Sequence, residues 1–171
     1  MMKSVRSRAI FVLVLMAGLY APSLLAQRTG YSPEEFVRRR AALMDQVKDG
    51  AIVLFGDASV PAGTHFRQDN DLFYFTGNED LGGVLVMVPF MRTGATLFLP
   101  QRSTREIQYD GPGLLEDAAA KAKAGFTDVL AVGDLDEFLA RITGRGAGKL
   151  YVRLSPRDSL DDARSETALM D

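Results

Sequence analysis

The residues able to do chemistry in this chain are concentrated in one run. Phe66 to Gly77, FRQDNDLFYFTG, opens with five hydrogen-bonding side chains, Arg67, Gln68, Asp69, Asn70 and Asp71. It passes directly into the apolar, aromatic Leu72-Phe73-Tyr74-Phe75 and stops at Thr76-Gly77. A polar cluster beside so apolar a run loses water on folding and must pair internally, because an unpaired buried charge costs several kcal/mol or so. The expected pair is Arg67 with Asp71. Such a pair fixes a loop or, alternatively, faces a substrate. The apolar run reads as a strand buried on both faces or as the last turn of a buried helix.

A second informative stretch is Arg102 to Gly113, RSTREIQYDGPG, where Glu106 reads as a paired loop carboxylate rather than an acid catalyst. The single histidine, His65, invites a metal or proton-transfer role, but a metal needs converging ligands and His65 reads as a surface or hydrogen-bonded residue. Glu79-Asp80 reads as a pair of loop carboxylates, and Asp161-Asp162 as solvated. With no cysteine, disulfides and thiolate metal sites are excluded. No phosphate-binding glycine loop, GxSxG elbow or HExxH helix is present.

The elements that must position these residues follow from periodicity and punctuation. Ser32-Pro33-Glu34-Glu35 reads as a helix start, with Ser32 as cap and Glu35 closing a capping box. Phe36, Leu43, Met44 and Val47 fall on one helical face, Arg38-Arg39-Arg40 read as its solvated flank, and Gly50 ends the helix. Ala51–Phe55 reads as a buried strand and Gly56–His65 as a loop. Gly83–Val88 and Ala95–Leu99 read as an antiparallel pair joined by six residues. Leu114–Ala124 reads as a helix, Asp128–Val132 as a strand, and Asp134 as the cap of a helix with Glu137 three residues on. Lys149–Leu154 reads as a last strand. Alternating strands and helices imply an α/β fold, a mixed β-sheet flanked by helices.

The chain has 171 residues, enough for one domain and one core. A net charge of −2 gives no electrostatic reason for a nucleic-acid partner. Lys3, Arg6 and Arg8 precede the apolar Ala9–Tyr20, which is shorter than the about 20 residues a bilayer span needs. Pro22 and small residues ending at Ala26 complete the layout of a secretory signal peptide over 1–26, an uncleaved anchor being the alternative. Export to a periplasm or medium is expected, with no membrane attachment after cleavage. Residues 27–154 form the domain, and 155–171 are a polar tail.

The run RQ, then Asp71, then Tyr74-Phe75-Thr76-Gly77 resembles the signature of the aminopeptidase P amino-terminal domain, in the creatinase/prolidase superfamily. Upstream Arg38-Arg39-Arg40-Ala41-Ala42-Leu43 and downstream Gly83–Met87, Thr96–Pro100 and Arg105-Glu106-Ile107 agree in order and spacing. The resemblance implies signature residues Arg67, Gln68, Asp71, Tyr74, Gly77, Arg105 and Glu106, in structural roles. It implies a Xaa-Pro aminopeptidase acting on proline-containing peptides with two divalent ions, commonly manganese, held by two Asp, one His and two Glu of a separate catalytic domain. None of those ligand motifs matches this chain, so no catalytic or metal residue is carried over. The resemblance also implies that the tail is the start of a following segment, that the chain is cut short and inactive alone, and that it shapes substrate access and makes homo-oligomer contacts. Relatives carry a Trp where Gln108 stands, so a substrate-facing aromatic would have to be the adjacent Tyr109. A free-standing binding or assembly module and a prolidase-like relative are the alternative readings.

Overall fold

The structure, a computed structural model, describes residues 30–60, 63 and 65–153. The signal peptide and polar tail expected at the two ends lie outside the described residues. The elements are α1 (Pro33–Gln46), β1 (Ala51–Phe55), α2 (Asn70–Thr76), β2 (Val84–Met87), β3 (Ala95–Leu99), α3 (Thr104–Asp110), α4 (Ala118–Lys123), β4 (Asp128–Ala131), α5 (Leu135–Thr143) and β5 (Leu150–Val152). A short 3-10 turn, Val132–Asp134, leads into α5.

The five strands form one sheet in the order β4-β3-β2-β1-β5. The centre is antiparallel, with Phe55 opposite Val84 and Val84 opposite Phe98. The outer strands are parallel to their neighbours, β4 beside β3 and β5 beside β1. This is the mixed sheet flanked by helices that the sequence implies, including the antiparallel β2–β3 pair. Runs such as VLVM and ATLFL are apolar throughout because both faces of the sheet are covered, and every residue of β2 and β3 is buried.

Alternation along each strand divides the interior in two. One face carries Val53, Phe55, Val84, Val86 and Phe98 and receives Phe138 and Ile142 of α5. The other carries Ile52, Leu85, Met87, Leu97 and Val129 and receives Leu72 and Phe75 of α2, Leu43 and Met44 of α1, and Phe126.

The pairing fixes which loops meet. Phe55, Val84, Phe98, Leu130 and Val152 share one end of the sheet. The segments that build the polar network leave from that end or enter it.

Of the two readings of Leu72–Phe75, strand or buried helix end, the helix is the one found: the run belongs to α2, closed before it by an Asp69 side-chain cap and after it by Gly77 at φ 65°. A helix of seven residues shows too little periodicity to be told from a buried strand. Several other local expectations are corrected. Ser32 occupies the cap position of α1 but makes no side-chain cap bond; its side chain hydrogen-bonds with Glu34, and Glu35 turns to Arg38 and Arg39 rather than closing a capping box. The helix ends at Gln46, four residues before Gly50. Asp134 likewise makes no side-chain cap, since its position is taken into the 3-10 turn. The helix expected from Leu114 starts only at Ala118, where Asp117 accepts from the amides of Ala119 and Ala120. Arg102–Gly113 contains a helix, α3, that was not expected. The arginine run is solvated only at Arg38, whose side chain is 77% exposed. Arg40 is buried, donating to the carbonyls of Phe75 (2.8 Å) and Gly125 (2.7 Å) over the Phe126 ring. Desolvation pushes its pKa down to about 10, so it stays charged at neutral pH.

Candidate functional site

The site is built where β1 ends. Gly56 must pass close to the incoming signature segment: a Cβ there would lie 2.5 Å from Gln68 Oε1 and 2.6 Å from Leu72 Cδ2. The gap that glycine leaves admits Gln68, which is buried and uses both ends of its amide. Its Oε1 accepts from the backbone N–H of Asp57 (3.1 Å) and Asp69 (2.9 Å), and its Nε2 donates to Asp80 O (2.6 Å). Gln68 thereby ties the end of β1, the start of α2 and the loop entering β2.

Asp69 is buried and caps α2. One carboxylate oxygen accepts from the amides of Asp71 (2.9 Å) and Leu72 (3.1 Å), satisfying donors that a helix start leaves unmade. The other accepts from Arg153 Nη2 at 2.8 Å, while Arg153 Nη1 reaches Asp71 Oδ2, also at 2.8 Å. The expected Arg67–Asp71 pair does not form. Asp71 faces the end of β5, and Arg67 is exposed, donating to Asn70 Oδ1 at 3.1 Å. Burial lowers the affinity of Arg153 for its proton, but hydrogen bonds and charge from Asp69 and then Asp71 outweigh it and hold its pKa above the usual guanidinium range.

The network continues across the sheet end through Asp80. Its carboxylate accepts from Arg102 Nη2 at 2.9 Å, and Arg102 Nη1 donates to Gly111 O at 3.1 Å. Glu116 accepts from the backbone amides of Arg102 and Gly113. Between these groups lies a cleft of about 270 Å³, its apolar floor including Leu99 and Leu115 and its rim Asp80, Arg102, Glu106 and Asp110. Glu106 has a defined job. It completes a capping box with Ser103, accepting from the Ser103 hydroxyl (2.6 Å) and amide (2.7 Å) while the hydroxyl accepts from the Glu106 amide. The hydroxyl bond, then the amide bond, hold its carboxyl below the usual range, against a small opposing desolvation.

The expected signature residues are therefore not brought together at one point. Gln68 and Asp71 stand in the polar network, and Glu106 lines the cleft that Asp80 and Arg102 border. Tyr74 and Gly77 sit at the far end of α2. There the half-exposed Tyr74 ring stacks on Arg39 (4.2 Å), which also donates to Tyr74 O, and Gly77 abuts Phe36. Arg105 lies on the exposed side of α3, 5.8 Å from the ring of Tyr109, itself 74% exposed. Gln108 beside it is also exposed. The sequence reading missed Arg102 and Arg153 as partners. Each is a lone arginine after a strand, and only the sheet order reveals which carboxylates they meet.

The arrangement can hold and orient groups along one sheet end, and it does not fit the paired metal ions that the resemblance implies for the whole enzyme. Those need oxygen donors with an imidazole at fixed positions. Here His65 is exposed, the network carboxylates are committed to arginines and amides, and among the described residues no three His, Cys, Asp or Glu side chains converge as a metal site. We derive no step through a metal from this chain.

A five-stranded mixed sheet, helices on both faces, and a glutamine–aspartate–arginine wall at one strand end define a class of α/β domain. Residues 36–151 match the family model for the aminopeptidase P N-terminal domain, and the chain belongs to that family. It is 32% identical to the Xaa-Pro aminopeptidase of Escherichia coli K12 over 148 residues, 82% of this chain and 31% of that one. It is 30% identical to the mitochondrial intermediate cleaving peptidase 55 of Arabidopsis thaliana over 108 residues, 58% of this chain and 22% of that one. The chain thus spans less than a third of either curated relative. Among solved structures, aminopeptidase P from E. coli with the inhibitor Pro-Leu superposes with a TM-score of 0.61 at 27% identity, covering 77% of this chain and 31% of that chain. Aminopeptidase PepP of Pseudomonas aeruginosa gives 0.64 at 25% identity, over 82% and 32%. A Bacillus anthracis structure described as a putative aminopeptidase P shares the fold, with 0.66 at 19% identity over 82% and 35%.

Proposed function

We propose that this chain is the access-shaping domain of an exported Xaa-Pro aminopeptidase, a manganese metallopeptidase whose metal ligands lie outside the described residues. In this reading the domain limits entry to short peptides with proline second and supports homo-oligomer contacts. The observation that carries the reading is the family match over 36–151. Of the signature residues inside it, Gln68 and Asp71 are engaged in a polar network at one sheet end rather than presented as a reaction centre. Gln68, Asp69 and Asp71 are consumed by backbone amides, Asp80 O and Arg153. Tyr109, on α3, is the most exposed aromatic among the described residues and is available to meet a second subunit.

The purified chain, incubated with manganese and a Xaa-Pro dipeptide, is expected to give no turnover. Turnover abolished by a chelator would overturn the division of labour. The positive arm places residues 31–153 in exchange for the corresponding segment of the E. coli Xaa-Pro aminopeptidase. The chimera is expected to cleave Xaa-Pro peptides with KM altered more than kcat, and Tyr109→Ala in it to weaken subunit association. A chimera that folds but cleaves Xaa-Pro and non-proline peptides alike would sink the access role. Export is tested by expressing the chain with its natural start in a bacterium with a periplasm. The exported product is expected to begin at Gln27, and full-length protein retained in the cytoplasm would refute export.

A further inference from the structure

We propose that Arg153 is a two-pronged latch making β5 and the N-terminus of α2 a single opening unit, although Arg153 lies 84 positions from Asp69 and 82 from Asp71 in the sequence. The inference stands independently of the peptidase reading. Neither partner is secure alone. At seven residues α2 is well short of the roughly 12–15 at which an isolated helix becomes even marginal in water. β5 has three residues, pairs among the described residues only with β1, and leaves Leu150 and Tyr151 exposed at 45% and 37%, so it is held by little apolar burial and by the exposed bonds of Lys149 and Tyr151 to Asp49.

Arg153 joins these two weak elements. Its planar fork spreads its terminal nitrogens onto two different carboxylates, Asp69 and Asp71, each at 2.8 Å. The Asp69 side chain is only 4% exposed, and its other oxygen is held by the Asp71 and Leu72 amides. Both oxygens of the cap are thus engaged, one by the helix it caps and one by the end of β5. If β5 lifts, Asp69 loses a cation and keeps a buried charge. If Asp69 turns away, two amides of α2 lose their acceptor and β5 loses one of the two carboxylates that hold Arg153. The carboxylates also lie at the positive end of the helix, which favours the same arrangement. Lifting the edge strand therefore uncaps the signature helix, and Gln68, bonded to the Asp69 amide, moves with it.

Native-state hydrogen exchange on the 171-residue chain tests this. In Arg153→Met, the Asp71 and Leu72 amides and those of β5 are expected to exchange about tenfold or more faster, with α1, β2 and β3 unchanged. Arg153→Lys, a single point donor, is expected to fall between wild type and Met. Asp71→Asn, which leaves the Asp69 cap in place, is expected to accelerate α2 and β5 together by a smaller factor. The latch is overturned if β5 accelerates while α2 does not, or if every element accelerates equally. Should the Met variant fail to fold, the Lys and Asn variants decide on the same criteria.

Discussion

Gln68 has one donor end and one acceptor end, and the fold uses both to close a gap that no apolar side chain could close. Gln68→Ala would leave the Asp57 and Asp69 amides and the Asp80 carbonyl without it in a buried place. We expect a loss of about 2–4 kcal/mol, read as a lower midpoint in urea at unchanged slope. Glu106 gives a signed pH prediction. Its folded pKa lies below the ordinary carboxyl value of 4.5, chiefly through the Ser103 hydroxyl. The folded state therefore favours the charged form: the contribution is fully present above about 4.5 and disappears as pH falls through the folded value. Amides of α3 are expected to lose exchange protection in that acid window. Ser103→Ala should return the Glu106 titration, followed by carboxyl NMR, toward its ordinary position; an unmoved titration would contradict the capping box. At this scale the sequence showed which side chains needed partners, but not which partners. Arg67 and Asp71 are four residues apart and of opposite sign, yet Asp71 finds Arg153 because β5 lies next to β1, and nothing local encodes that adjacency.

The elements show where local pattern suffices. AIVLF, VLVM and ATLFL are legible as strands because burial on both faces makes them continuously apolar. LFYF has the same look in a helix of two turns, where only the flanking cap and Gly77 distinguish the alternatives. Gly77 holds φ 65°, and a Cβ there would come within 2.6 Å of the buried Phe36 ring. Gly77→Ala is expected to cost about 2–4 kcal/mol, combining left-handed strain with a clash against α1. Gly94→Ala, at φ 64° with only ordinary contact to Met44, should cost only about 1 kcal/mol. Chemical denaturation of the two variants side by side checks the comparison; equal losses would mean that α1 yields to α2 without resistance. The basic run on α1 was misread for a related reason. Charge predicts exposure only until a carbonyl-rich helix end lies opposite, and here the ends of α2 and of the segment before Phe126 take up Arg40.

In the domain formed from Tyr31 onward, two cores share one five-stranded partition, so neither can melt while the other stays packed. Thermal unfolding of the chain, followed by far- and near-ultraviolet circular dichroism, is expected to give coincident transitions. A near-ultraviolet signal lost well before the far-ultraviolet one would show that the two cores are not coupled. The fold class was readable at this scale from the alternation of elements. The assembly of the rim was not, because it depends on β5 joining the sheet beside β1 rather than at the β4 edge.

One consequence of the strand pairing concerns the rim opposite the polar wall. The reversal from Val88 to Gly94 turns there, closed by its own backbone bonds from Val88 to Gly94 and Met91 to Val88, with Phe90 and Arg92 facing water. That reversal is remote from the glutamine–aspartate–arginine wall along the whole length of β2 and β3. A fluorophore or epitope grafted at Arg92 would therefore report on the protein in cells while leaving that network undisturbed.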